Sequence, residues 1–159
     1  MNLILNGRWL LAMICLLCAG AGYADNRYIE SIASEKSYAD TVVALRNAIN
    51  AGNAKIFQEV DHRNNAVGTD VKLVPSRVFI FGNPKVGARL MECAPLAAVE
   101  LPLRMLIRED SQTQTRLYWV KASTLLERYA DSPSDECRVL TDRIDSHLED
   151  LASTAAKAE

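Results

Sequence analysis

Four short stretches of this chain carry side chains whose types and spacing suit chemistry. In Gly82-Asn83-Pro84-Lys85-Val86-Gly87-Ala88-Arg89 a glycine turn precedes two cations. A turn that feeds a helix presents free N–H groups and a favourable dipole to an anion, which makes Asn83, Lys85 and Arg89 candidates for a carboxylate or phosphate site. The stretch does not read as a nucleotide-hydrolysing loop. That chemistry needs Lys and then Ser or Thr directly after the second glycine, and here Ala88 and Arg89 follow Gly87. A capped strand-to-helix turn accounts for the same residues.

Asp61-His62 suggests acid–base work, yet neighbours on a strand point to opposite faces, and Asp61 is equally well explained as the N-cap of a turn beginning at Arg63. Met91-Glu92-Cys93, with Met105 in a later strand and His62 as an imidazole, offers the thioether, thiolate and nitrogen ligands that suit Cu(I) or haem iron. Cys93 activated by His62 is the thiol-enzyme version of that set. Against both, methionines at such positions fill gaps in cores, and the chain has no CxxC, CxxCH or HExxH. No catalytic residue and no cofactor are assigned. Tyr118 and Trp119 alternate on a strand, so one joins the core and the other faces a ligand groove; Trp119 is taken as the groove candidate.

The elements that position these residues begin after a segment of different character. The 159 residues carry a formal charge of −2, with 49% hydrophobic and 24% charged residues and four cysteines. Asn2 to Ala24 reads as a secretory signal peptide: Arg8 is its only charge, a hydrophobic run covers Trp9 to Ala21, and small residues follow, with cleavage expected after Ala24. Thirteen apolar residues are too few to span a bilayer comfortably, which takes about 20. Bulky Ile14 and Leu17 before Cys15 and Cys18 argue against lipidation. The mature chain then has 135 residues, a charge of −3 and two cysteines, in the periplasm or outside the cell and without a stable membrane anchor. Its acidity argues against nucleic acid as a partner.

An even pair of cysteines in an exported chain is more often a disulfide than two thiols. Cys93 and Cys137 are therefore expected to staple the C-terminal helix to the Pro84–Pro95 region, across a separation of 44 residues worth about 4 kcal/mol in chain entropy. That bond would remove Cys93 from ligand or nucleophile chemistry.

Tyr28 to Ala33 suits a strand. Ser37 caps a helix from Tyr38 whose stripe is Val42, Leu45 and Ile49, ended by Gly52 as a left-handed residue. Lys55 to Asp61 reads as a strand with Ile56, Gln58 and Val60 on one face and Phe57, Glu59 and Asp61 on the other, followed by a helical turn over Arg63 to Gly68. Arg77 to Phe81 is apolar on both faces, as for a central strand covered twice. Asn83 and Pro84 start a brief helix that Pro95 interrupts. Leu103 to Glu109 and Arg116 to Val120 form a hairpin, and Ser123 caps a helix through Tyr129. Cys137, Leu140, Ile144, Leu148 and Leu151 then make the apolar stripe of a C-terminal amphipathic helix.

Three stretches bring a family into view: Val60 to Gly68 (VDHRNNAVG), Val78 to Met91 (VFIFGNPKVGARLM) and Ala94 to Asp110 (APLAAVELPLRMLIRED). Together, over about Ser31 to Ala130, they resemble the bacterial domain of unknown function 302 (DUF 302). The resemblance implies an α+β, TATA-box-binding-protein-like β-α-β(4)-α fold, a curved antiparallel sheet with helices packed on it. It implies no activity and no DNA binding, since fold does not carry function. The chain departs from the usual pattern in its export signal, in Cys93, in Ala88 where a hydroxyl residue is common, and in its C-terminal helix, which suggests a periplasmic specialisation. The expected organisation is a signal peptide over 1–24, an α+β domain over 25–130 and a C-terminal helix over 131–159.

The function these features suggest is a non-enzymatic binding module for a small ligand or a protein partner. The alternatives are a metal or haem carrier, or thiol enzyme, using His62, Met91 and Cys93, and a structural protein that dimerises through the charged face or apolar stripe of its last helix.

Overall fold

The structure, a computed structural model, describes residues 28–158. The expected export signal lies outside the described residues. Five strands form one antiparallel sheet: β1 (Ile29–Ala33), β2 (Lys55–Asp61), β3 (Ser76–Gly82), β4 (Leu103–Glu109) and β5 (Thr115–Val120), in the order β1-β5-β4-β3-β2. The last four strands form a meander and β1 joins it beside β5. The helices are α1 (Tyr38–Ala51), α2 (His62–Asn65), α3 (Pro84–Cys93), α4 (Ala122–Tyr129) and α5 (Asp135–Ala156), with a 3-10 turn at Pro95–Val99. The order strand, helix, four strands, helix is the expected one, and the class is α+β.

Local chemistry explains most boundaries. Ser37 accepts from the Asp40 N–H and starts α1, Asn83 accepts from the Lys85 N–H ahead of Pro84 in α3, and Ser134 accepts from the Cys137 N–H at α5. The core lies between one sheet face and the helices, where Leu45 and Ile49 of α1 and Leu148 and Leu151 of α5 are buried with Phe79, Met105 and Leu117. The stripe of α5 is thus spent within its own chain, which makes the helix part of the one core and leaves only its outer face for a partner. Cys93 and Cys137 are bonded, Cα atoms 5.7 Å apart, and tie the end of α3 to the start of α5.

Four expectations fail, each for a tertiary reason. Gly52 is extended (φ −88°, ψ −166°), not left-handed, because only Asn53 and Ala54 separate it from β2 and the chain must leave α1 already straight. A bulge between Ile56 and Gln58 changes the β2 register, so Ile56 shares a face with Glu59 and Asp61, and Val60 lies opposite. Ser123 does not cap α4; Asp145 of α5 does, accepting from the Ala122 N–H (2.6 Å), the Ser123 N–H and the Ser123 hydroxyl. And β3 is buried on one face only: Phe79 and Phe81 join the core with the helix residues, while Val78 and Ile80 point to the other face and are only half-buried.

Candidate functional site

The strand register separates the residues that the sequence offered for chemistry. Asp61 pairs with Arg77 at one end of β3, and Lys55 pairs with Gly82 at the other. His62, which opens α2, therefore sits at the far end of the sheet from Met91 and Cys93, which follow Gly82 on α3; the strand alone spans about 20 Å. With Cys93 bonded to Cys137, the thioether–thiolate–imidazole set does not assemble and the Cys93–His62 pair has neither a thiol nor contact. Met105 is fully buried as core filler, whereas Met91 is exposed. Among the described residues no three His, Cys, Asp or Glu side chains gather as a metal site requires.

The anion-site reading loses two of its three side chains to other partners. Asn83 uses both ends of its amide, Oδ1 accepting from Lys85 N–H and Nδ2 donating to the Asn53 carbonyl, each at 2.9 Å. The Arg89 guanidinium lies 2.7 Å from the Glu136 carboxylate, and Lys85 stands exposed. Trp119 is only 6% exposed and belongs to the core; Tyr118, not Trp119, faces the uncovered side.

The strongest electrostatic feature was not foreseen. Arg46 of α1 makes a bidentate pair with Glu59 (2.7 and 2.8 Å), Arg77 reaches Glu59 at 3.3 Å, and Arg77 also holds Asp61 at 2.6 Å. Hydrogen bonding from Arg46 holds the Glu59 carboxyl below its usual range. Asp61 is lowered first by the Asn64 N–H that it caps and then by Arg77. Burial raises the Tyr38 phenol beside this group, with Asp61 adding to the effect. These paired charges fasten α1 to β2 and β3.

What α3 does build is a cleft. Between α3, the bulge of β2 and the start of β4 lies a cavity of about 420 Å³ walled by Phe57, Pro84, Val86, Met91, Leu101 and Leu103. Phe57, the residue that the bulge takes out of register, is 46% exposed here, and Met91 38%. Among the described residues no charged side chain lines it, and the one polar side chain that does, Asn83, is already satisfied at both ends. A larger depression of about 580 Å³ beside the disulfide is bordered by Arg89, Glu92, Glu136 and Arg143, charges that pair across it or face water.

Gly87 forms part of the cleft wall inside a helix, where glycine costs about 1 kcal/mol relative to alanine. Its φ is not positive, and a Cβ built on it meets nothing within 4 Å. Neither backbone geometry nor packing asks for glycine here. A glycine four positions into a helix started by Asn83-Pro84 was a signal visible in the sequence; the bulge that delivers Phe57 had none.

An open five-stranded antiparallel sheet with helices packed on it defines an α+β domain. The sequence model of the domain of unknown function DUF302 matches residues 30–151, and the chain belongs to that family. The match takes in most of α5, which the motif resemblance ending at Ala130 had left out as a departure. The crystal structure of an uncharacterized conserved DUF302 protein from Bacillus stearothermophilus superposes with a TM-score of 0.70 at 12% identity, over 80% of this chain and 98% of that one, a likeness of fold. Proteins named fluoride-specific ion channel FluC 1 from Brucella suis and Brucella abortus are each 28% identical over 100 residues, 63% of this chain and 39% and 37% of theirs. The chain thus spans under two-fifths of the length of these relatives.

Proposed function

We propose that this chain is an exported, non-catalytic binding domain that holds an uncharged, apolar small molecule in the cleft under α3. The observation that carries the reading is the lining of that cleft: apolar walls, no charge, no unsatisfied side-chain polar group, and a volume of about 420 Å³. Pockets of a few hundred Å³ with such walls suit small ligands, and a charged ligand would lose its hydration there without compensation. Export is supported by the signal-like segment and by the Cys93–Cys137 pair, a bond favoured outside the cytosol. Fluoride conduction, the activity in the names of the Brucella relatives, is not carried over, since the shared stretch is 100 residues and no described helix is long and apolar enough to cross a membrane.

The test uses Gly87→Leu, which fills the cleft from a position with free space and good helical propensity. The mature chain is expected to bind the apolar fluorophore N-phenyl-1-naphthylamine saturably, and Gly87→Leu to bind it at least ten-fold more weakly with an equal or higher Tm. Equal binding by the variant would show that the cleft is not the site.

A further inference from the structure

The two faces of the sheet differ in charge in a way that packing does not require. Residues directly opposite in an antiparallel pair share a face, and the registers trace one row across all five strands of the uncovered side: Val60, Val78, Leu106, Tyr118 and Ser31. Beside it runs a second row in which Arg108 stands opposite Arg116. The strand carboxylates Glu30, Glu59, Asp61 and Glu109 all share rows with buried or helix-side residues, whereas Arg104, Arg108 and Arg116 lie on the uncovered face. Arg104 leans 3.7 Å from Glu100 at the sheet end. Arg116 donates to the Ser31 hydroxyl (3.0 Å), and neither it nor Arg108 has a carboxylate within 4.0 Å among the described residues. Like charges placed directly across a sheet are destabilising, so this pair in an acidic protein is a cost without a folded-state benefit.

We propose that the uncovered face docks an acidic segment of a partner protein. Carboxylates of that segment meet Arg108 and Arg116, and its apolar side chains cover the row Val60–Val78–Leu106–Tyr118. Charge complementarity selects this occupant. A second copy laid face to face would add two more arginines to an unneutralised pair. Residues 1–27 hold Asp25 against Arg8 and Arg27 and bring no net negative charge. An open sheet face does not enclose a small molecule as a pocket does. The apolar side chains of the row are each half-buried among their neighbours and do not project as membrane insertion needs. Tyr118 is the one ring in the row, too few for a nucleic-acid stacking platform. This surface is separate from the α3 cleft, and its test does not depend on that site.

The experiment measures fluorescence anisotropy of the mature, oxidised chain with a labelled short peptide alternating Glu and Leu, against the matching Lys–Leu peptide. Arg108→Glu places a carboxylate opposite Arg116. The expected result is saturable, salt-sensitive binding of the acidic peptide only, weakened at least ten-fold in Arg108→Glu, whose Tm rises as the repulsion is removed. Binding of both peptides alike, binding unchanged by the substitution, or a Tm that falls with it overturns the proposal. So does association with phosphatidylglycerol vesicles or oligo(dT) in place of the peptide, or a dimer in sedimentation velocity that Arg108→Glu dissociates.

Discussion

Glu59 holds Arg46 and Arg77 at once, accepting three charge-assisted hydrogen bonds on one carboxylate. It is only a quarter exposed, so losing it leaves two guanidinium groups facing each other with Asp61 alone to answer them. Glu59→Gln is expected to cost about 1–2 kcal/mol, read as a lower urea midpoint at pH 7. Glu59 and Asp61 are both lowered in the folded state, so their stabilisation is fully present above their unfolded values and is lost as pH falls below about 4. A wild-type stability profile that is flat between pH 6 and 3, or an acid limb equally steep in Glu59→Gln, would contradict this. The charges of the network were plain in the sequence, but their meeting was not: Arg46 lies 13 residues from Glu59 on a different element, and the bulge decides which face Glu59 occupies.

Among the elements, α4 shows how a helix start can depend on a distant residue. A local reading gives the cap to Ser123, yet the open N–H groups of Ala122 and Ser123 are satisfied by Asp145, 23 and 22 residues away. Asp145→Ala should therefore destabilise the protein by about 1–2 kcal/mol, with amide exchange quickened first at Ala122 and Ser123. Exchange quickened only at Ser146 and beyond would place its role within α5 instead. The caps at Ser37 and Asn83 were legible because donor and acceptor lie two or three residues apart. The same distinction separates β4, whose alternation of Leu103, Met105 and Ile107 was readable, from β2, whose face is set by pairing with β3.

At the scale of the whole molecule, the disulfide joins the two regions that border the cleft and the last helix. Closing a loop across 44 residues stabilises by about 4 kcal/mol in the chain-entropy model. Reduction of the mature protein is accordingly expected to lower Tm by on the order of 10 °C, with no free thiol before treatment and two after it. An unchanged Tm on full reduction would mean that the α5 stripe, with Leu148 and Leu151 buried, holds the helix without help.

The sequence by itself determined the elements and their order, the pairing of Cys93 with Cys137 and the family, because helix caps, apolar periods and short motifs are written in neighbouring residues. Only the tertiary structure decided which side of β3 stays uncovered, that Tyr118 and not Trp119 faces it, that Arg108 meets Arg116, and that Phe57 and Gly87 wall one cleft. Those outcomes follow from register and from a single extra residue in β2. They rest on contacts between segments distant in the chain, where the spacing of side chains along the sequence carries no information about their separation in space.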